Sequence, residues 1–240
     1  MSLVIPKGYH NVLGSLENTE KAIKAVKDMF QDNLSAQLAL LRVTAPMTVL
    51  SGMGLNDDLS GVETPVSFPI KDLGGVQAEI VHSLAKWKRI KLAQMQIPAG
   101  RGIYTDMNAL RPEEELDNIH SIYVDQWDWE KVITREERTM ETLMNTVRDV
   151  YKVLRKTEKY LAIESDYIQE ILPREIFFIT TQELADMFPD HTPKEREYYI
   201  TKAKGAVCLM QIGDKLDSGE PHDGRAPDYD DWSMNADILV

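Results

Sequence analysis

EIVHSLAKWKR (residues 79–89), GRGIYTDMNALRPEEE (100–115) and IHSIYVDQWDWE (119–130) make up the stretch that decides the fold. The first segment predicts a strand over residues 79–82 that ends at Ser83, a residue type favoured at helix N-caps. A short basic helix follows, and Pro112 closes the apolar segment after it. Residues 119–130 then predict a long strand, because apolar and aromatic side chains recur there with a period of two.

The two faces of that last strand differ in character. One face carries Ile122, Val124, Gln126, Asp128 and Glu130. The other carries Tyr123, Trp127 and Trp129, and aromatic side chains suit a packed sheet. A strand inside a core has no packing reason to project an amide and two carboxylates from one face. The pattern therefore indicates either a pocket lined by these groups or an edge strand with a wet face.

Four separate segments of the sequence resemble motifs of the aspartate–ammonia ligase family of the class II aminoacyl-tRNA synthetase-like superfamily. They are HSLAKWKR (82–89), ALRP (109–112), YVDQWDWE (123–130) and RAPDYDDW (225–232). The LRPE segment with the strand after it is similar to motif 2 of aspartyl- and asparaginyl-tRNA synthetases. The resemblance runs from about Ile23 onward and implies an α+β catalytic domain whose antiparallel sheet is flanked by helices.

Composition narrows the class of protein. The 240 residues are 43% hydrophobic, enough for one substantial core. The net charge of −12 argues against a nucleic-acid partner, which needs a basic face. Cys208 is the single cysteine, so an internal disulfide is excluded, and its apolar neighbours predict a core strand. With no membrane-length apolar run and no signal peptide, we expect a cytoplasmic protein without a membrane partner.

The rest of the chain predicts a mixture of helices and short strands. Helical spacing covers residues 15–41, with Asn33 as a possible break, and a strand follows over residues 42–50. This pair is similar to class II motif 1, which implies a homodimer formed through that helix and strand. Further elements are a hairpin of residues 66–70 and 78–82, a helix at 136–160, a strand at 175–179, a helix capped by Thr180 and Glu183, a helix at 194–203 and a strand at 206–212.

Two acidic loops have an ordinary interpretation as solvated turns. The segment SGMGLNDDLSG (51–61) carries Asp57, and DKLDSGEPHDG (214–224) fails the EF-hand pattern because Leu216 stands where an acidic or amide ligand is needed. The resemblance changes the interpretation of Asp57, since NDDLSG matches the segment that holds the amino-acid substrate in the family.

The resemblance also implies a set of site residues for an ATP-driven amide synthesis. The α-ammonium of aspartate is expected at Asp57 and Asp230, and its carboxylates at Ser83 and Lys88. Gln126 is expected to contact the substrate or the α-phosphate, and Asp128 to orient aspartate or guide ammonia. ATP binding is assigned to Arg111, Gln126 and Asp237, with Arg111 on the α-phosphate because a guanidinium suits two anions brought together. Mg²⁺ is expected at Asp237 and Glu130.

The implied reaction converts aspartate, ammonia and ATP into asparagine through a β-aspartyl-adenylate. Free ammonia is the expected donor because nothing in the chain resembles a glutaminase. Residues 1–240 are expected to form one catalytic domain without the glycine-rich motif 3 and its ATP-stacking arginine. Two alternatives stay open at this level: the catalytic core of an aspartyl- or asparaginyl-tRNA synthetase, and a non-catalytic synthetase-like module.

Overall fold

The computed structural model describes residues 4–118, 120–165 and 168–240. Within them the chain forms two compact units. The first unit contains residues 38–133 with residues 226–229 and the N-terminal segment to residue 10, and the second contains residues 11–37, 134–225 and 230–240. The prediction of a single catalytic domain over residues 1–240 stays a prediction.

Five helices and nine strands occur in the described residues. The helices are α1 (Leu16–Leu38), α2 (Ala85–Gln94), α3 (Met140–Glu164), α4 (Thr181–Met187) and α5 (Pro193–Lys204). The strands are β1 (Leu40–Arg42), β2 (Thr48–Leu50), β3 (Ser67–Ile70), β4 (Val76–Ile80), β5 (Gly102–Leu110), β6 (Tyr123–Lys131), β7 (Phe177–Thr180), β8 (Val207–Met210) and β9 (Ala236–Leu239).

The first unit holds two three-stranded sheets, ordered β1-β5-β6 and β2-β4-β3. Strands β5 and β6 pair antiparallel over nine residues each, from Gly102 opposite Lys131 to Leu110 opposite Tyr123. Gly102 is required at this register, because a Cβ there would lie 2.3 Å from the Glu130 carbonyl oxygen. The long hairpin therefore fixes which side chains of β6 face α2.

A small apolar core lies in the first unit beneath α2. Its buried members are Val49, Val81, Leu84, Met107 and Ala109. Strand β5 supplies Met107 and Ala109, and the turn before α2 supplies Val81 and Leu84, so the start of α2 is anchored to the sheet by apolar burial.

The second unit is built on the sheet β7-β8-β9. All four residues of β8 are buried, and the core on one side of the sheet also takes in Val147 and Tyr151 of α3. Leu184 of α4 and Ile200 of α5 belong to a second buried cluster. Cys208 lies in β8 as predicted, and burial raises the pKa of its thiol to about 12.

The fold class is α+β as predicted. Among the described residues, β1–β5 and β7–β8 pair parallel and the other four pairings are antiparallel. The predicted hairpin is β3–β4, and the predicted Thr180–Glu183 capping box opens α4. α1 runs without a break at Asn33, whose side-chain amide donates to the Met29 carbonyl.

Two local predictions are wrong. Residues 42–50 are not one strand, because β1 and β2 belong to different sheets and Pro46, which lacks an N–H donor, lies between them. The N-cap of α2 is Leu84 and not Ser83, and it makes no side-chain cap hydrogen bond. Ile119, the predicted first residue of the long strand, lies outside the described residues, and β6 begins at Tyr123.

Candidate functional site

The N-terminus of α2 is capped by a carboxylate from a distant loop. The side chain of Asp57 accepts hydrogen bonds from the backbone N–H groups of Ala85 (2.5 Å) and Lys86 (3.1 Å). Asp57 is 1% exposed, and its charge suits the positive end of the helix. The carboxylate thus satisfies donors that the local sequence leaves unpaired.

α2 covers the polar face of β6. Lys88, which is fully buried, forms an ion pair with Asp128, and the Arg89 Nε lies 3.3 Å from Glu130. A buried ammonium is stable only beside a partner charge, so Lys88 and Asp128 hold each other in place. Burial raises the pKa of Glu130, against the opposing effect of Arg89 and Lys88.

This packing resolves the two interpretations of β6. The strand is an edge strand of its sheet, yet its polar side chains are half-buried and face a helix. The polar residues of β6 pair with β5 in the register of the hairpin. Gln126 lies opposite Met107, Asp128 opposite Thr105, and Glu130 opposite Ile103.

Some polar atoms at the same sheet are buried without a hydrogen-bond partner among the described residues. The Nε of Arg111 and the side-chain amide nitrogen of Gln126 are among them. Arg111 follows directly on β5, and its backbone N–H donates to the Ile122 carbonyl. Buried donors without acceptors are rare in folded proteins, and a ligand that supplies acceptors explains them. Ser83 is half-buried beside the first turn of α2.

In the second unit, Arg225 joins the two remaining predicted site residues. Its Nε donates to Asp230 (3.1 Å), and Nη1 and Nη2 each donate to one oxygen of Asp237 (both 3.1 Å). Asp230 also accepts from Asn235 (2.9 Å), again on Oδ2. The fork of a guanidinium matches a carboxylate in this bidentate geometry.

The surroundings hold Arg225 in this position. A Cβ at Gly213 would lie 2.8 Å from its Cγ, so the glycine permits the close approach. Burial raises the pKa of Asp237 even beside Arg225, and Glu197 and Asp223 add to the rise. The arrangement is a cluster of carboxylates around one guanidinium, which favours cationic ligands.

The structure thus places the predicted residues in two groups. Asp57, Ser83, Lys88, Arg111, Gln126, Asp128 and Glu130 belong to the first unit. Asp230 and Asp237 belong to the second. Sequence reasoning missed the partners that hold them, above all Arg225 and Arg89, although both stand inside the segments that carry the family resemblance.

The candidate metal ligands do not form a metal site by themselves. Glu130 is paired with Arg89, and both oxygens of Asp237 are taken by Arg225. Within the part of the chain that the structure describes, no three His, Cys, Asp or Glu side chains converge in a way that could hold a metal ion.

Comparison with known proteins assigns the family. A family model described as aspartate-ammonia ligase matches residues 17–240. A Clostridium perfringens protein named aspartate–ammonia ligase is 56% identical over 237 residues, which are 99% of this chain and 70% of that protein. A Lactiplantibacillus plantarum protein of the same name is 56% identical over 239 residues, covering 100% of this chain and 74% of that protein. The chain belongs to the aspartate–ammonia ligase family.

Solved structures relate the fold of this ligase family member to class II aminoacyl-tRNA synthetases. Asparaginyl-tRNA synthetase from Entamoeba histolytica, in complex with asparaginyl-adenylate, has a TM-score of 0.60 at 10% identity, covering 87% of this chain and 49% of that chain. The Pyrococcus horikoshii enzyme has a TM-score of 0.59 at 13% identity, covering 92% and 51%. The likeness shows the fold alone, and the chain spans about half the length of these synthetases. No helix of the described residues is long and apolar enough to cross a membrane.

Proposed function

We propose that this protein makes L-asparagine from L-aspartate, ammonia and ATP through a β-aspartyl-adenylate, with release of AMP and pyrophosphate. The observation that carries the proposal is the polar face of β6 under α2. Asp128 on this face pairs with the buried Lys88 of α2, and the same hairpin carries the donors of Arg111 and Gln126 that have no partner among the described residues. Family membership supplies the substrates, since the relatives are named aspartate–ammonia ligase.

Arg111 is assigned to the α-phosphate. The β-carboxylate of aspartate attacks this phosphate while pyrophosphate leaves, so two anions must approach each other. A guanidinium whose buried Nε–H has no partner among the described residues can stabilise the negative charge that builds up there. The Gln126 amide nitrogen is assigned to an oxygen of the substrate or of the same phosphate.

A carboxylate of the substrate aspartate is assigned to Lys88 of the first unit. Lys88 has one carboxylate partner for three N–H donors, which leaves it able to bind a substrate carboxylate with Ser83 beside it. Asp128 orients Lys88 and, through it, the aspartate. Asp230 belongs to the second unit, and its role toward the α-ammonium rests on the family resemblance and stays a prediction.

Three finer features rest on the resemblance and stay predictions. They are a Mg²⁺ requirement with Asp237 and Glu130 as ligands, pairing of two copies through α1 and the strand segment after it, and a cytoplasmic location. The ligand role of Asp57 toward the ammonium also stays a prediction, since its carboxylate already caps α2.

The test is aspartate-dependent exchange of pyrophosphate into ATP, followed by ammonium-dependent formation of asparagine and AMP. Arg111→Ala should lower exchange by about 100-fold or more, the usual loss when a donor to the developing charge is removed. Arg101→Ala removes an exposed arginine just before β5 and should leave exchange unchanged. Exchange that persists in Arg111→Ala would remove Arg111 from the mechanism. Pyrophosphate release that needs tRNA would favour a tRNA synthetase core, and inactivity in every assay a non-catalytic module.

A further inference from the structure

A cavity of about 220 Å³ lies beside the N-terminus of α2 in the first unit. The polar side chains that line the cavity are Asn56, Asp57, Asp58, Glu79, His82 and Lys86. Lys86 is paired with Asp228 (2.5 Å), so its charge is already balanced. Asp57 is committed to capping α2, whereas Asp58 is exposed. The cavity thus has a surplus of negative charge, which attracts a small cation.

His82 has no role in the site as described so far, and its ring is an unexplained group in this cavity. The residue is 2% exposed, and its Nε2 is buried without a hydrogen-bond partner among the described residues. Its backbone is fixed, because the N–H donates to Asn56 Oδ1 (2.8 Å). A buried imidazole nitrogen without a partner costs free energy, and His82 is one of the residues that line the cavity.

The surroundings favour a neutral imidazole. Burial lowers the pKa of His82, and Arg111 lowers it further, while Glu63, Glu79 and Asp58 oppose the shift. A neutral imidazole offers a lone pair on one nitrogen, which is what a proton acceptor needs.

The proposed reaction needs such an acceptor. Ammonium is the dominant form of the nitrogen donor near neutral pH, and it has no lone pair with which to attack an acyl group. Asp128 is already paired with the buried Lys88, and Asp57 already accepts from two backbone donors. His82 is left as the buried group in this cavity with an available lone pair.

We propose that this cavity binds ammonium and that His82 takes a proton from it, releasing ammonia for attack on the aspartyl-adenylate. The inference rests on the proposed function and adds the nitrogen-donor site to it. An N–H bond of ammonium breaks and its proton goes to the imidazole nitrogen. The freed lone pair forms the C–N bond, the bond from the acyl carbon to the phosphate oxygen breaks, and AMP leaves with that electron pair. A second proton leaves the new nitrogen to solvent, and the imidazolium returns its proton to solvent.

The first test uses the unsubstituted protein and varies pH with ammonium chloride as the donor. If the cavity binds ammonium, the KM for total ammonium should stay nearly constant from neutral to mildly alkaline pH. If the protein uses only ammonia from solution, that KM should fall about tenfold per pH unit, following the free-base fraction. The second result would overturn the proposal.

The second test compares His82→Asn and His82→Gln with His10→Asn, a matched change at an exposed histidine. Asparagine formation from ammonium near pH 7 should fall by about 100-fold in both His82 variants, the usual scale for loss of a general base. It should recover as the pH rises and free ammonia accumulates. Hydroxylamine, which is largely unprotonated near pH 7, should react at nearly the unsubstituted rate.

Aspartate-dependent pyrophosphate exchange separates this proposal from the proposed function, because exchange needs no nitrogen donor. We expect exchange within about twofold of the unsubstituted protein in the His82 variants, since the base acts only after adenylation. Loss of exchange, or an equal loss with hydroxylamine and ammonium, would overturn the role of His82. Absence of exchange in the unsubstituted protein would refute the proposed function itself.

Discussion

The carboxylate of Asp57 caps the helix that carries Lys88, with hydrogen bonds of 2.5 and 3.1 Å to the backbone N–H groups of Ala85 and Lys86. Lys88 lies on the first turn of that helix, and its ammonium group forms an ion pair with Asp128 on β6. A loop residue that the sequence offers as a substrate ligand is therefore also a support for the lysine that is assigned to a substrate carboxylate.

Substitutions at Asp57 should separate capping from ligand binding. Asp57→Ala should cost about 1 kcal/mol of unfolding free energy, the usual scale for a lost N-cap, and raise the KM for aspartate more than that for ATP. Asp57→Asn keeps one acceptor and should cost less stability. If it still weakens aspartate binding as much as Asp57→Ala, the negative charge itself contacts the ammonium. Urea unfolding and initial-rate kinetics measure both quantities, and equal loss of aspartate and ATP binding would contradict the placement of the substrate.

Substitutions at Lys88 and Asp128 should have strongly non-additive effects on the free energy of unfolding. Lys88→Met leaves a half-buried carboxylate without its partner and should lower the unfolding free energy by about 3 kcal/mol. Lys88→Met combined with Asp128→Leu should recover much of that stability, because the unpaired charge is gone. Neither variant should make asparagine. Activity in the double variant would show that the pair only holds the fold together.

Arg225→Lys should impair aspartate binding while the fold is kept. Lysine retains the charge but cannot hold Asp230 and Asp237 at once with fixed geometry. We expect the KM for aspartate to rise about tenfold, because Asp230 is no longer oriented. Arg138→Lys is the matched control, since Arg138 pairs with Asp231 in an exposed setting. A KM change of the same size in the control would mean that the effect comes from a change in the loop and not from the orientation of Asp230.

The titration of His82 should appear in the stability of the protein as well as in its chemistry. The pKa of His82 is lowered from 6.5 by burial, so the unfolded chain binds a proton more readily than the folded one. The stabilising contribution is present above the unfolded pKa and is lost as the pH falls through the folded pKa. His82→Asn should make urea-unfolding free energies depend less on pH below about 6.5. An unchanged pH dependence would show that His82 is not held neutral by burial.

Much of the first unit can be predicted from the sequence because its signals are local. The alternation in β6 predicts the polar face, and the basic segment before it predicts the helix that covers that face. The error at Ser83 has a physical reason. Its identity suits a cap, but the actual cap comes from Asp57, which lies 28 residues before the Ala85 that it caps, and no local pattern reports such a contact.

The roles of individual site residues are harder to predict, because they depend on tertiary contacts. Asp230 and Asp237 stand out through the family resemblance, but nothing in the RAPDYDDW segment predicts that Arg225 binds both of these carboxylates. His82 likewise belongs to a quoted motif, yet a single histidine has no periodicity and acquires meaning only through its burial and its unpartnered nitrogen. Bridging and burial are tertiary properties, and spacing alone does not encode them.

The nine-residue pairing of β5 with β6 makes this part of the chain intolerant of insertions and deletions. Loss of one residue from β6 before Gln126 would carry Trp127 and Trp129 onto the α2 side and move Asp128 to the opposite face. Point substitutions in the hairpin can be absorbed by neighbouring side chains, whereas a change of length reverses every later position. Natural variation in β5 and β6 should therefore consist of exchanges at constant length, with gaps confined to the turn between them.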